Sequence, residues 1–97
     1  MNGTIPQSVA KSSTLTTLDL SVNQLSGTIL KLDTFSLVTL DLSFNQISGT
    51  IPLTLANVPF LSYLDLSSNQ LTGSIPNNIY FFGFLSYLSL SNNHLTG

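Results

Sequence analysis

The chain has no cysteine and no tryptophan, and its few charged residues include neither arginine nor glutamate. Without cysteine there are no disulfides, no thiol nucleophile and no thiolate zinc site, and cysteine usage leaves the compartment open. Charged residues are 6% of the 97, against roughly a quarter in ordinary soluble domains. They are Lys11, Lys31, Asp19, Asp33, Asp41 and Asp65, for a net charge of −2. Two lysines cannot displace the counterions of a phosphate backbone, so nucleic acid is excluded as a partner. Solubility has to rest on Ser, Thr and Asn. No apolar run approaches the roughly 18 residues of a bilayer span, and the N-terminus carries neither the basic nor the apolar segment of a signal peptide. If the natural protein is secreted, this chain is a mature form or a piece from its middle.

What the chain does have is repetition. Apolar residues make up 42% of it, enough for a core. Residues 15–27 (LTTLDLSVNQLSG), 37–49 (LVTLDLSFNQISG), 61–73 (LSYLDLSSNQLTG) and 85–97 (LSYLSLSNNHLTG) align, at spacings of 22, 24 and 24. Around Leu18 and Leu20 apolar residues alternate with Thr17, Asp19 and Ser21, the period of a strand with one buried face. One short strand per unit follows. Strands this far apart pair in parallel only if the chain returns to the same edge each time, so the units coil into a solenoid. Leu18, Leu40, Leu64 and Leu88 then stack inside. Asn23, Asn45, Asn69 and Asn93 recur where each strand ends, and an amide turned inward there bonds backbone groups left unpaired by the turn. Gly27, Gly49 and Gly73 supply backbone freedom to the turns. The return path carries Ile51, Leu55, Val58, Ile75, Ile79 and Phe82 at irregular spacing, and Pro52 and Pro76 disfavour long helices there, which predicts 3₁₀ pieces.

Each unit matches L-x-x-L-x-L-x-x-N-x-L, and residues 48–52 and 72–76 continue it as S/T-G-x-I-P. Residues 2–6 (NGTIP) are the back half of a further unit. The pattern resembles the leucine-rich repeat family in its plant-specific class, as in receptor-like proteins, receptor-like kinases and polygalacturonase-inhibitor-like proteins. The resemblance covers essentially the whole chain. It implies an α/β solenoid, a right-handed superhelix with a parallel four-stranded concave sheet and a convex side of loop and 3₁₀ turns. The array divides into a partial repeat (1–14), repeats 15–36, 37–60 and 61–84, and a partial repeat (85–97), uncapped at both ends. An excerpt from a longer array is expected, with end-to-end self-association as its hazard. Residues 29–36 depart from the pattern: the unit is two residues short, Leu30 replaces the proline, and earlier Ser12 stands where an apolar residue belongs.

In this family the concave face is the usual ligand platform. Strand alternation assigns it four rows: Thr17, Thr39, Tyr63 and Tyr87; Asp19, Asp41, Asp65 and Ser89; Ser21, Ser43, Ser67 and Ser91; and Val22, Phe44, Ser68 and Asn92. Tyr63 and Tyr87 beside Phe44 form the most ligand-like cluster, since aromatics dominate binding hot spots, with cross-strand packing that shields the sheet as the competing reading. The aspartates, about 5 Å apart, should repel and raise one another's pKa, the pattern of acid pairs and calcium sites. The LDLS run is common consensus in the family, however, and favours a structural ladder. No catalytic arrangement emerges. The lone His94 lies in a unit whose strand aspartate is replaced by Ser89, and a flat carboxylate row lacks the opposed acid and base of a glycosidase. On the convex side Phe60, Tyr80, Phe81 and Phe84 are expected to wrap the core, with a second contact surface as the alternative. Asn2-Gly3-Thr4 is a glycosylation sequon. The expected function is non-catalytic recognition, without a cofactor, of a protein, peptide or glycan at an extracellular surface or plasma-membrane ectodomain. An ice-binding or structural repeat surface is the alternative, weakened where Tyr63 and Tyr87 interrupt the threonine row. A truncated fragment without independent activity is a third.

Overall fold

The computed structural model describes residues 2–6, 14–29, 36–52, 55, 58–75 and 85–96. Lys11, Ser12, Leu30, Lys31, Asp33, Pro76, Ile79, Tyr80, Phe81, Phe82 and Phe84 lie outside these residues. Eight strands form among the described ones: β1 (Asn2–Thr4), β2 (Thr17–Asp19), β3 (Gln24–Ser26), β4 (Thr39–Asp41), β5 (Ser48–Gly49), β6 (Tyr63–Asp65), β7 (Gln70–Leu71) and β8 (Tyr87–Ser89). The principal sheet has the order β2-β4-β6-β8 and is wholly parallel. Its register places Thr17, Thr39, Tyr63 and Tyr87 in one row, Leu18, Leu40, Leu64 and Leu88 in the next, and Asp19, Asp41, Asp65 and Ser89 in a third. This is the solenoid that the repeat spacing implies.

The leucines of the alternating pattern turn inward because only that face can lose water. Leu40, Leu42, Leu64 and Leu66 are each 1% exposed, and Leu25 and Leu71 are fully covered. Burying a leucine side chain contributes roughly 1.5–3 kcal/mol. Leu88, on the edge strand β8, departs from this at 39% exposed, whereas Leu18 on the opposite edge strand is buried. On the convex side Ile51, Leu55 and Val58 are buried. The Leu55 amide donates to the Pro52 carbonyl, Val58 to Leu55 and Leu61 to Val58, successive i→i+3 bonds of the 3₁₀ kind expected after Pro52.

A second parallel ladder, beyond the single strand per unit expected, runs along the turn side. β1 pairs with β3, β5 with β7, and Ser74 bridges to Thr96. Amide donation from Gln46 to Leu25, Ser48 to Gly27, His94 to Leu71 and Thr96 to Gly73, each 2.8 Å, links the remaining turns. The cause is a polar, apolar, polar triplet after each turn asparagine: Gln24-Leu25-Ser26, Gln46-Ile47-Ser48, Gln70-Leu71-Thr72 and His94-Leu95-Thr96. The pairing is staggered, with Gly3 opposite Leu25 and Gly49 opposite Leu71. A glycine of positive φ lies in or just beyond each short strand: Gly3 at +90°, Gly27 at +80°, and Gly49 and Gly73 at +81°. At Gly49 a Cβ would lie 2.9 Å from Cγ2 of Thr28, so that threonine methyl packs directly on glycine backbone.

Between the two sheets the asparagine side chains form a chain of bonds. Asn45 donates to the carbonyls of Leu20, Leu42 and Ser43, and its Oδ1 accepts the Leu25 amide at 3.0 Å. Asn69 repeats this one unit later on Leu42, Leu66, Ser67 and the Ile47 amide, and Asn93 on Leu66, Leu90, Ser91 and the Leu71 amide. Asn23 donates to Leu20 and Ser21.

Two stability measurements follow. Asn45→Ala strands a buried amide and several carbonyls, and should lower the free energy of urea unfolding by roughly 3 kcal/mol or more; a loss under about 1 kcal/mol would show the ladder to be dispensable. Gly49→Ala should cost about 1–3 kcal/mol, through the positive φ and the methyl clash. Adding Thr28→Ser to that variant should return part of the loss.

Candidate functional site

The outward rows of the principal sheet are built by two different means. Thr17, Asp19 and their equivalents point outward by strand alternation. The last row does not: Val22, Phe44, Ser68 and Asn92 all have left-handed backbone, φ +54° to +57°. That conformation throws side chains outward that simple alternation would turn inward, and it leaves Val22 75% and Phe44 59% exposed. Asparagine and glycine enter this region readily, whereas a β-branched residue is strained there. Val22 therefore stands in the wrong conformation for its type, on the solvent side.

Phe44 does not join the tyrosines as expected. It lies five residues beyond Thr39, which pairs with Tyr63, so it sits on the order of 15 Å along the strand direction from the tyrosine row. Tyr63 and Tyr87 do come together. Their rings stack at 4.4 Å between centroids with planes 6° apart, as parallel neighbours on adjacent strands should. Partial removal from water raises the Tyr63 phenol above 10.0, with smaller contributions from Tyr87 and from the Asp41 and Asp65 carboxylates. The hydroxyl accordingly remains a donor at neutral pH.

The register sets the aspartates in one row, and at Asp19 the electrostatics run opposite to the raised pKa expected there. Oδ1 of Asp19 accepts the Ser21 amide at 3.0 Å and the Ser21 hydroxyl at 2.6 Å. Asp41 holds Ser43 and Asp65 holds Ser67 with the same two distances. The Ser21 hydroxyl, then its amide, pulls the Asp19 carboxyl below its usual 3.8, against a small opposing desolvation. At Asp19 the two donors on its own strand outweigh repulsion along the row. The serine row is correspondingly less available than expected: Ser43 and Ser67 are 5% and 8% exposed, and Asp65 is 9%. In the last unit Ser89 replaces the aspartate, and a 3.4 Å Ser89–Ser91 hydroxyl contact stands in for the bracket. Among the described residues no three of His, Cys, Asp and Glu are grouped to hold a metal ion.

Asn2 lies in β1, exposed on the second ladder and away from the principal sheet. His94 donates its amide to Leu71 on that same ladder, far from the tyrosines in sequence register. Phe60, 54% exposed, is the one aromatic of the convex group among the described residues. The left-handed backbone beneath the expected fourth row and the second ladder were the features that the sequence reading missed. The recurrent turn before each asparagine and the polar, apolar, polar triplet after it were the signals for them.

In carboxyl-detected titration, Asp19 should show a midpoint below 3.8, and Ser21→Ala should move it back up. Because the folded pKa lies below the unfolded one, this group's contribution to stability is complete above about pH 4 and is lost as pH falls through the folded value. Val22→Asn should raise stability by about 0.5–1 kcal/mol in urea unfolding by relieving the left-handed strain, with no change at Tyr63.

Family models described as leucine rich repeat match residues 35–95 and residues 11–32. No curated protein matches the chain. Among solved structures, the BIR3–SERK2 complex from Arabidopsis thaliana is 43% identical with a TM-score of 0.94, covering 99% of this chain and 53% of that one. The ectodomain of the Arabidopsis receptor kinase HAESA, in complex with an extended IDA peptide hormone, is 47% identical with a TM-score of 0.93, covering 99% and 16%. The ectodomain of the receptor kinase GASSHO1/SCHENGEN3 from Arabidopsis thaliana, in complex with CASPARIAN STRIP INTEGRITY FACTOR 2, is 36% identical with a TM-score of 0.94, covering 99% and 12%. The chain spans about half the length of the first and much less of the other two.

Proposed function

Since the chain belongs to the leucine-rich repeat family in its plant-type class, we propose that it is a non-catalytic recognition module that receives a protein or peptide on the principal sheet, as part of an extracellular receptor ectodomain. The observation that carries this is the Tyr63–Tyr87 stack. It stands on the outward face, with Tyr87 44% exposed, where the fold asks only for a threonine, as Thr17 and Thr39 show. Large aromatic area beyond what packing needs is the composition of a binding hot spot. Two of the structural neighbours hold a peptide hormone or a named factor, and a third pairs two proteins, which supports the same use here. A glycan is the alternative ligand class for these ring faces. The 39% exposed Leu88 on the β8 edge supports end-to-end self-association as a secondary property.

The test is selection of displayed extended peptides against the wild-type chain, with counter-selection on Tyr63→Thr/Tyr87→Thr. Threonine is native to this row, so the double variant should melt as wild type does. Selected peptides should lose roughly tenfold or more in affinity on the variant. Equal binding to both chains would remove the principal sheet from the proposal.

A further inference from the structure

The first outward row changes height at one place. Thr17 and Thr39 present three heavy side-chain atoms each, and then Tyr63 and Tyr87 present full rings. One face of Tyr63 is covered by Tyr87. The other is turned toward the β4 strand, where the neighbouring side chain is the short Thr39. The result is a shelf: a floor of Thr39 and Thr17 with the Tyr63 ring as its wall. Asp41 lies two residues along β4 from Thr39, on the same face and half-buried, and Asp19 stands beside it on β2.

Charge on this face is one-sided. Asp19, Asp41 and Asp65 lie on it, and none of the four outward rows contains Lys, Arg or His. The donors bonded to these carboxylates, Ser21, Ser43 and Ser67, are uncharged and bring no compensating positive charge to the row. Both bonds to Asp41 fall on Oδ1, and among the described residues no hydrogen bond uses Oδ2. The face offers a π wall, a free carboxylate oxygen and no basic counterpart. Those are the two elements that recognise a guanidinium or ammonium group, which stacks on a tyrosine face within about 6 Å of its centroid while its N–H groups bond a carboxylate. Arginine suits the shelf better than lysine because its plane can lie flat on the ring while its edge reaches the carboxylate.

Resting on the peptide-recognition proposal above, we infer that the Thr39–Tyr63 shelf takes a basic side chain, so that the ligand of this face is an extended peptide carrying arginine. A peptide of that kind lies across the strands, with the arginine stacked on the open face of Tyr63 and paired to Asp41. An acidic segment is repelled by the aspartate row. Association is steered by the same row and weakens with added salt.

The experiment uses a blocked decapeptide of alternating arginine and serine, with twins in which arginine is replaced by its neutral isostere citrulline or by glutamate. Amide chemical shifts and affinities are followed on the wild-type chain, Tyr63→Thr and Asp41→Ser, the two substitutions copying Thr39 and Ser89 at equivalent positions. The arginine peptide should shift Thr39, Asp41 and Tyr63, bind at least tenfold more tightly than the citrulline twin, lose about tenfold on each variant, and weaken as salt rises. Equal affinity for arginine and citrulline peptides at these residues overturns the charge inference while leaving peptide recognition standing. Shifts confined to residues outside the principal sheet overturn both. Displacement by the neutral glycan cellohexaose at equal affinity assigns the shelf to sugars, and silence of all three residues at millimolar arginine peptide also overturns the inference.

Discussion

The structure depends on one constraint: every time the chain leaves the principal sheet it must turn inward through an apolar core without leaving peptide groups unpaired. An unpaired buried amide or carbonyl costs about 1–3 kcal/mol, and the turn exposes several per unit. One side chain resolves all of them. The amide of Asn45 reaches two turns at once, donating to Leu20 in one unit and to Leu42 in its own, while accepting from Leu25 across the gap to the second ladder. It has the two donors and one acceptor the site needs, which neither aspartate nor serine offers together. Because Asn45, Asn69 and Asn93 each tie their unit to the preceding one, the stack is held edge to edge by polar bonds as well as by leucine burial. Among the described residues no buried side-chain polar atom is left without a partner.

Much of this was legible in the sequence because it depends on side chains that repeat. The strand register, the leucine stack and the inward asparagines all follow from the LxxLxLxxN spacing, since a period-2 alternation closing every 22 or 24 residues admits one parallel arrangement. The second ladder was less legible. Its strands are two or three residues long, and Gln24-Leu25-Ser26 looks like turn sequence until a neighbour pairs with it. The outward direction of Val22 and Phe44 came from backbone conformation, and a valine at φ +54° is the residue type that gives least warning of it. Asp19 was read with the wrong sign, because the Ser21 hydroxyl that lowers it acts along the strand, while the expected repulsion acts across it.

A division of labour between positions results. Inward residues are fixed in type by volume or by bonding. Outward residues in the tyrosine row and in the left-handed row vary freely from unit to unit, as Thr39 to Tyr63 and Phe44 to Ser68 show, while the backbone distances around them stay the same. The aspartate position is intermediate. It braces its own strand through serine and still presents charge outward, so Ser89 removes the charge and leaves only the longer Ser89–Ser91 contact as a brace.

The two ladders do not advance alike. On the principal sheet Thr39 faces Tyr63, its equivalent in the next unit, whereas on the turn side Gly49 faces Leu71, two residues short of its own equivalent, Gly73. Two residues of shear on one flank, about 6–7 Å per unit, and none on the other cannot be accommodated in a flat arc. The coil has to wind as it grows, like a spiral stair whose treads are the strands. A partner long enough to touch several treads must follow that pitch, so the number of units between two anchoring side chains sets the angle between them as well as their separation.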